Sequence, residues 1–406
     1  MRPAFDYDGS AVYNIDARDL PSVLDGPVDA VVTDPPYELG LGTAGETARW
    51  DSTGIAFDPD FWRAILGVMR PGAFLFAFGS PRTWHRLACA VEDAGFLIRD
   101  QLCWLYASGM PKGEWGDHAV DRALGVSDPR ASREAGSASL RGRRLKEGAY
   151  IPATPEASRW TGFNPALKPA WEPVIVAQRP REAMLGRNLL DHGTGALDVA
   201  DAAVPADMAE LGRRYERNSR LRDGDPRGGD VMRDTATPRP AAPRLDGRYP
   251  SDLVLDPCLD RLLPEGVPPF YFCPKASGAD RPVVADAPMR RPAAGWPEQA
   301  ARLGLRPDAP EVPASLLDAE AMACTTDAGA RRLAHPTVKP ASLMRWLVRL
   351  SCRPGGLILD PFLGSGSTMA AARIEGRRCV GSELDTSYLP LIDARVRSTA
   401  AFDPLF

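Results

Sequence analysis

Histidine is scarce, with four in 406 residues, and the seven cysteines (Cys89, Cys103, Cys258, Cys273, Cys324, Cys352, Cys379) contain no CxxC pair. Zinc-site spacing and a disulfide framework are therefore unsupported; no metal is expected, and a reduced, cytosolic setting is the default. No apolar run reaches membrane-spanning length, and the N-terminus lacks a basic segment followed by an apolar one. No membrane partner is expected. No GK[ST] triplet occurs, which lowers the odds for a phosphate-gripping ATP loop. A strong charge of one sign is missing too: a net charge of -4 and a pI near 5.7 argue against holding nucleic acid by bulk charge alone.

What is present is ordinary for a globular chain, 44% hydrophobic and 25% charged, with core enough for two or three domains. Charge is unevenly spread. Residues 1–60 carry an excess of acid, whereas 130–182 and 331–406 carry an excess of base, nearly all of it arginine. An acidic flank beside basic segments fits a local polyanion groove and fits solvated faces equally well.

Along the chain, Val12 to Asp16, Val28 to Thr33, Ala73 to Gly79 and Phe96 to Tyr106 read as strands, with helices over Phe61 to Met69 and Pro81 to Ala94. Strand and helix alternating with tight turns is the signature of an α/β sheet. The pattern breaks at Ala107. A strand returns at Glu172 to Gln178, while Asp223 to Arg248 and Asp286 to Pro313, rich in Pro, Gly and Arg, read as loop or disorder. Alternation resumes near Arg331: a helix to Cys352, a strand Leu357 to Asp360, a Gly-rich loop and helix, a strand Arg378 to Glu383, and a last helix. Three regions follow: 1–106, an insert at 107–330 whose strand near 172–178 joins the sheet, and 331–406.

Two strand ends carry chemistry. Val28 to Thr33 runs into Asp34-Pro35-Pro36-Tyr37, where two prolines forbid continuation and leave a carboxylate, rigid carbonyls and an aromatic ring. In open α/β sheets that edge is where ligands bind. Leu357 to Asp360 runs into Phe362-Leu363-Gly364-Ser365-Gly366 and then a helix, whose free N–H groups can face a ligand. Glu383 ends the next strand, where a ribose-binding carboxylate is expected. Met369 stands where the third glycine of a GxGxxG loop would be.

DPPY at 34–37, HPTVKP at 335–340, DPFLGSGST at 360–368 and VGSELD at 380–385 together resemble the amino-directed DNA methyltransferases, in the motif order of their β-class. Segments WLYASGMPKG at 104–113, NPALKPAWEPVIVA at 164–177, NLLDHGTGALDV at 188–199 and FYFCPKAS at 270–277 are similar to parts of phage and prophage adenine methylases. The resemblance implies a Rossmann-like, mostly parallel sheet with helices on both faces, in permuted motif order with a long irregular insert. It implies S-adenosylmethionine (SAM) as methyl donor and double-stranded DNA as partner, in the cytoplasm of a bacterium or phage-infected cell. A restriction endonuclease partner and a homodimer are compatible with it.

The resemblance also assigns residues. Asp34, Pro35, Pro36 and Tyr37 would be catalytic. Asp360 and Phe362 would lie by the cofactor, Gly364, Ser365 and Gly366 at its amino-acid end, Glu383 on its ribose and Asp16 on its adenine. In relatives Gly usually precedes this Asp; here Ile15 does. Thr337, Lys339 and Pro340 would close the cofactor pocket. The insert would read DNA, with Lys112, Arg141, Arg143, Arg144, Lys146 and Lys168 as candidate phosphate contacts. The reaction implied is methylation of the N6 amine of a flipped adenine. Cytosine-N4 methylation, methylation of RNA or protein, and a catalytically silent DNA-binding protein are the alternatives.

Overall fold

The computed structural model describes residues 1–39, 51–107, 109, 113–126, 150, 152–205, 247–263 and 270–399. Strands β1 (Phe5–Tyr7), β2 (Ser10–Tyr13) and β3 (Val28–Thr33) lead to helix α1 (Pro59–Val68), β4 (Met69–Phe78), α2 (Trp84–Asp93) and β5 (Leu97–Leu105). Next come β6 (Trp171–Gln178), α3 (Leu185–His192), β7 (Leu253–Leu255), β8 (Tyr271–Phe272), β9 (Val283–Pro292), α4 (Trp296–Leu303), β10 (Val312–Pro313) and β11 (Thr325–Ala334). The chain closes with α5 (Ala341–Ser351), β12 (Leu357–Asp360), α6 (Ser367–Ile374), β13 (Arg378–Ser382) and α7 (Leu389–Ser398). Among the described residues no helix is long and apolar enough to cross a membrane.

Among the described residues a 10-stranded sheet has the order β1-β2-β13-β12-β3-β4-β6-β5-β7-β8. Its pairings are parallel except for the β1–β2 hairpin and β6, which runs antiparallel to both neighbours. The α/β class expected from the sequence is what the chain adopts. Strands β3 and β12 are neighbours, with Ile358 opposite Ala30 and Leu359 opposite Val31. The two chemistry-bearing strand ends therefore meet on one edge of the sheet.

The continuous apolar runs follow from burial on both faces. Successive side chains alternate between two cores. Ala30 and Val32 of β3, Phe74, Phe76 and Phe78 of β4 and Val174 and Val176 of β6 share one core with Leu343, Trp346 and Leu347 of α5 and Met369 of α6. Val31, Leu75, Ala77, Ile175 and Ala177 share the other with Phe61, Trp62 and Ile65 of α1 and Leu87 and Val91 of α2. Local signals set α1: Pro59 sits in its first turn, and the Asp58 side chain caps it by accepting the Asp60 N–H. Gly381 in β13 is required by close approach, since a Cβ there would stand 2.4 Å from the Asp360 carbonyl oxygen.

Two compact units result: residues 1–106 with 171–406, and residues 107–170. The set-apart unit is thus shorter than the 107–330 insert expected from the sequence, because β7 and β8 extend the main sheet by parallel pairing beside β5. Strands of two or three residues are too short to show periodicity. The 107–170 unit has helices Gly116–Ala123 and Pro155–Ser158, tied together by Asp121, which accepts from the Tyr150 hydroxyl at 2.6 Å and from Ala153 N and Thr154 Oγ1 at 2.7 Å.

The expectation of loop or disorder over Asp286 to Pro313 is corrected. That stretch forms most of β9, all of α4, and β10, in a 3-stranded antiparallel sheet β10-β9-β11. Prolines 288 and 292 are a local signal against a strand, because proline cannot donate to the ladder. Pro288 is accommodated opposite Ala330, between two register irregularities of β11, and the inward pair Ala287 and Met289 is buried.

Candidate functional site

The turn after β3 places three charged or polar groups together. The Lys339 ammonium lies 2.5 Å from Asp34 Oδ2 and donates to the Tyr37 hydroxyl at 3.2 Å. It also stands 3.5 Å from Glu172 Oε2, at the head of β6. The Tyr37 hydroxyl donates to the same Glu172 oxygen at 3.1 Å, and Thr83 Oγ1 donates to the Tyr37 carbonyl at 2.8 Å. Glu172 is held from behind by the Tyr106 hydroxyl at 3.2 Å and by Lys275 Nζ at 3.8 Å. Pro35 and Pro36 carry the backbone between Asp34 and Tyr37. The other carboxylate oxygen, Asp34 Oδ1, is buried and has no hydrogen-bond partner among the described residues.

Burial is the largest influence on Asp34 and pushes its carboxyl above the ordinary range; Lys339 pulls it back and Glu172 pushes it further up. Burial pulls the Lys339 ammonium down, but the Asp34 and Glu172 carboxylates outweigh it and its pKa lies above the usual lysine value. Tyr37 is pushed well up by burial and by both carboxylates. The cluster therefore holds a protonated lysine between two carboxyl groups.

Across the β3–β12 pairing, Thr33 Oγ1 donates to Asp360 Oδ1 at 2.7 Å, and Phe362 N donates to the same oxygen at 3.1 Å. Asp360 thus fixes the base of the loop. Gly366, at φ 76, caps α6 in the left-handed region. Gly364 N donates to Glu383 Oε2 at 2.8 Å, and Asp385 N donates to Oε1 at 2.8 Å. Phe362 lies 5.6 Å from the Phe61 ring and Ser365 is buried. His335, pulled down to about 4 by burial and the nearby Lys339, is neutral; its Nδ1 accepts from Thr337 N at 3.3 Å. Its Nε2 stands 2.8 Å from the place a Cβ on Gly364 would take.

Other expected residues fall as follows. Thr337 is exposed, and Pro340 is buried at the start of α5. Asp16 lies after β2 and pairs with Arg18 at 3.2 Å. Lys168 is exposed in the 107–170 unit, its ammonium on the Ala107 carbonyl. Lys112, Arg141, Arg143, Arg144 and Lys146 lie outside the described residues. Among the described residues no group of three or more His, Cys, Asp or Glu stands where it could hold a metal ion.

The sequence expectations give no site role to Glu172, Tyr106, Lys275 or Asn14. Asn14 Nδ2 donates to the Glu383 carbonyl at 2.7 Å and so pins β2 to the end of β13. For Glu172 there was a signal: a lone carboxylate at the head of an otherwise apolar buried strand.

Burial pushes Glu383 up to about 8 and Asp360 up to about 6. Glu383 starts from an ordinary value of 4.5. In the folded chain it keeps its proton to higher pH, so its contribution to stability is full below 4.5 and is lost as pH rises through about 8. The thermal midpoint of the ligand-free protein is expected to fall across that window, and Glu383→Gln to flatten the fall. An unchanged slope in the variant would assign the pH dependence to another group.

Residues 309–394 match the family model N6_N4_Mtase, described as DNA methylase. The DNA adenine methyltransferase YhdJ of Escherichia coli (strain K12) is 40% identical over 57 residues, 14% of this chain and 19% of that protein. The Type II methyltransferase M.HinfI of Haemophilus influenzae is 39% identical over 64 residues, 16% of this chain and 18% of that protein. The chain thus spans about a fifth of the length of these curated relatives. Among solved structures, the M1.HpyAVI–SAM complex aligns with a TM-score of 0.39 and 13% identity, covering 95% of this chain and 98% of that one. The resemblance to amino-directed DNA methyltransferases is borne out by the family and relatives matched.

Proposed function

We propose that this chain transfers a methyl group from SAM to the exocyclic N6 amine of an adenine flipped out of duplex DNA. The observation that carries the reading is Asp34 Oδ1, a buried acceptor left open beside an aromatic ring, one strand away from a glycine loop closed by a half-buried carboxyl. The residues fit the cofactor. Glu383 takes two backbone N–H bonds and keeps acceptor capacity for ribose hydroxyls. Phe362 and Phe61 give an apolar wall, and Gly364 lets the loop backbone pass close to the His335 ring, where a side chain would collide. When bound, SAM supplies the electrophilic methyl group.

The chain's own residues answer the chemistry of the amine. An exocyclic aromatic amine is a poor nucleophile because its lone pair is delocalised into the ring. Asp34 and the Pro35 carbonyl can accept its two hydrogens, which favours a more tetrahedral nitrogen and stabilises the positive charge that develops on attack. Fixed alignment of the groups is a positioning effect. The amine is itself the nucleophile, so no cysteine is needed. Tyr37 stacks on the extruded base; its hydroxyl is anchored on Glu172 and its backbone carbonyl on Thr83. Tyr37→Ala is expected to lower kcat/KM by about tenfold to a hundredfold, the usual worth of a base–aromatic stack. Tyr37→Phe keeps the ring and should lose much less. Equal losses in the two variants would remove stacking as the role.

Asp before Pro-Pro-Tyr and the similarity to an adenine methyltransferase favour adenine over cytosine N4. The reading places the protein with DNA in the cytoplasm. Its test is incubation of full-length protein with duplex DNA of mixed sequence and radiolabelled SAM, followed by nucleoside mass spectrometry. N6-methyladenine is the expected product. N4-methylcytosine would move the reading to cytosine, and duplex DNA without any methylated base refutes it.

A further inference from the structure

The segment after α4 reaches the end of β13 through one buried amide. The Arg2 guanidinium donates to the Arg302 carbonyl at 3.0 Å, and Leu305 and Ala309 are buried in the same core as Val12 of β2. Between them, Arg306 N donates to Asn14 Oδ1 at 2.8 Å. Asn14 directly follows β2 and is 1% exposed. Its Oδ1 also accepts from Thr386 Oγ1 at 3.3 Å. Its Nδ2 donates to the Glu383 carbonyl at 2.7 Å and to the Leu384 carbonyl at 3.3 Å. A backbone N–H only donates and a carbonyl only accepts, so these partners fix which end of the amide faces which. Both donors and both lone pairs of the side chain are used.

The Arg306 guanidinium adds a contact of 3.4 Å to the same Leu384 carbonyl, and its Nε donates to Asp308 Oδ1 at 2.9 Å. The backbone after β13 is thus gripped by its carbonyls from Asn14 and Arg306. The Glu383 carboxyl, on the other side of that backbone, takes the N–H groups of Gly364 and Asp385. Asn14 also stands two residues before Asp16, the other carboxylate expected at the cofactor.

We propose that Asn14 and Arg306 are positioning residues for the cofactor: by holding the Glu383 and Leu384 carbonyls they set where the Glu383 carboxyl meets the SAM ribose. The segment after α4 is thereby part of the cofactor site. The proposal rests on the methyl-transfer reading above, and within it on Glu383 as the ribose-binding group. A carboxyl on a ribose hydroxyl tolerates little displacement, because hydrogen bonds weaken steeply with distance and angle. Asn14 supplies the two donors without bringing a charge next to Glu383.

Calorimetry with two ligands separates positioning from mere support and needs no turnover. The probes are S-adenosylhomocysteine and its 2′-deoxy analogue, which lacks a hydroxyl that Glu383 would hold. Wild-type protein should bind the analogue about tenfold or more weakly, the worth of a hydrogen bond to a charged group. Asn14→Ala should weaken S-adenosylhomocysteine by about the same factor yet bind the two ligands within about threefold of each other, since a displaced Glu383 no longer tells them apart. Equal losses on both ligands, with the wild-type preference intact, would make Asn14 a structural residue only and overturn the proposal.

Arg306→Ala removes the guanidinium contact and keeps the backbone bond to Asn14, so it tests the idea even where Asn14→Ala fails to fold. It should narrow the preference by about twofold to threefold; an unchanged preference refutes the proposal. With DNA present, the loss in both variants should appear in KM for SAM, and a loss confined to kcat refutes it too. A wild type that shows the ribose preference but methylates no duplex DNA defeats the functional reading and leaves this proposal standing. A wild type that binds both ligands equally removes Glu383 from the ribose and the proposal with it.

Discussion

Asp34→Ala is expected to abolish methyl transfer, by roughly a thousandfold or more, while SAM affinity stays within about threefold of wild type. The separation follows from geometry. Asp34 ends β3, whereas the proposed cofactor groups Phe362, Gly364 and Glu383 are fixed by β12, β13 and each other through Phe362 N to Asp360, Gly364 N to Glu383 and Asn14 to the Glu383 carbonyl. None of these bonds passes through Asp34. Nor should the change unfold the chain, because Lys339 keeps Glu172 as a counter-charge at 3.5 Å. Asp34→Asn sharpens the test: it keeps the volume but replaces one acceptor by a donor that opposes both Lys339 and the amine. Radiolabelled methyl transfer reads the loss, and equilibrium calorimetry with SAM reads the retained binding. Substantial turnover by Asp34→Ala would sink the proposed mechanism.

The same geometry explains what could be read from the residues in order and what could not. Strands β3, β4, β6 and β12 are apolar along their length because both faces are buried, and such runs bounded by Pro or Gly are legible locally. The Asp34 turn and the Gly364 to Gly366 loop are short-range features of two strand ends, so each carried its own signal. Their adjacency is a consequence of parallel sheet order. The polar cluster is different in kind. Asp34 meets Lys339 across 305 residues, and Tyr37 meets Glu172 across 135. No local period encodes such a meeting. Lys339 was expected on the cofactor side, and only the packing of the HPTVKP segment against the β3 turn turns its ammonium onto Asp34. Strand β9 failed for the opposite reason: prolines 288 and 292 gave a local signal against a strand that long-range pairing overrode.

The largest expected loss of stability is at Trp346, and it reaches the site as well. Trp346 is 1% exposed on α5, in the core beneath Phe76 and Ile358. Its indole N–H donates to the Ala202 carbonyl at 3.0 Å, and its ring stacks on Tyr271 at 4.9 Å. Trp346→Ala removes a large buried ring and leaves a cavity, at a cost of about 3–5 kcal/mol. The orphaned Ala202 carbonyl adds to that cost. Tyr271 belongs to β8, two residues before Cys273 and four before Lys275, and Cys273 accepts the Trp104 indole N–H through its carbonyl at 3.0 Å. Loosening Tyr271 therefore loosens the segment that brings Lys275 to Glu172. Urea unfolding should show the midpoint lowered without a change in slope, and kcat should fall at temperatures where the variant remains folded. Trp346→Phe keeps the stack on Tyr271 but not the bond to Ala202, so it should lose less stability and retain kcat. A Trp346→Ala protein with wild-type kcat would show that Lys275 is held without Tyr271, and a loss under about 1 kcal/mol would show that the core refills the space.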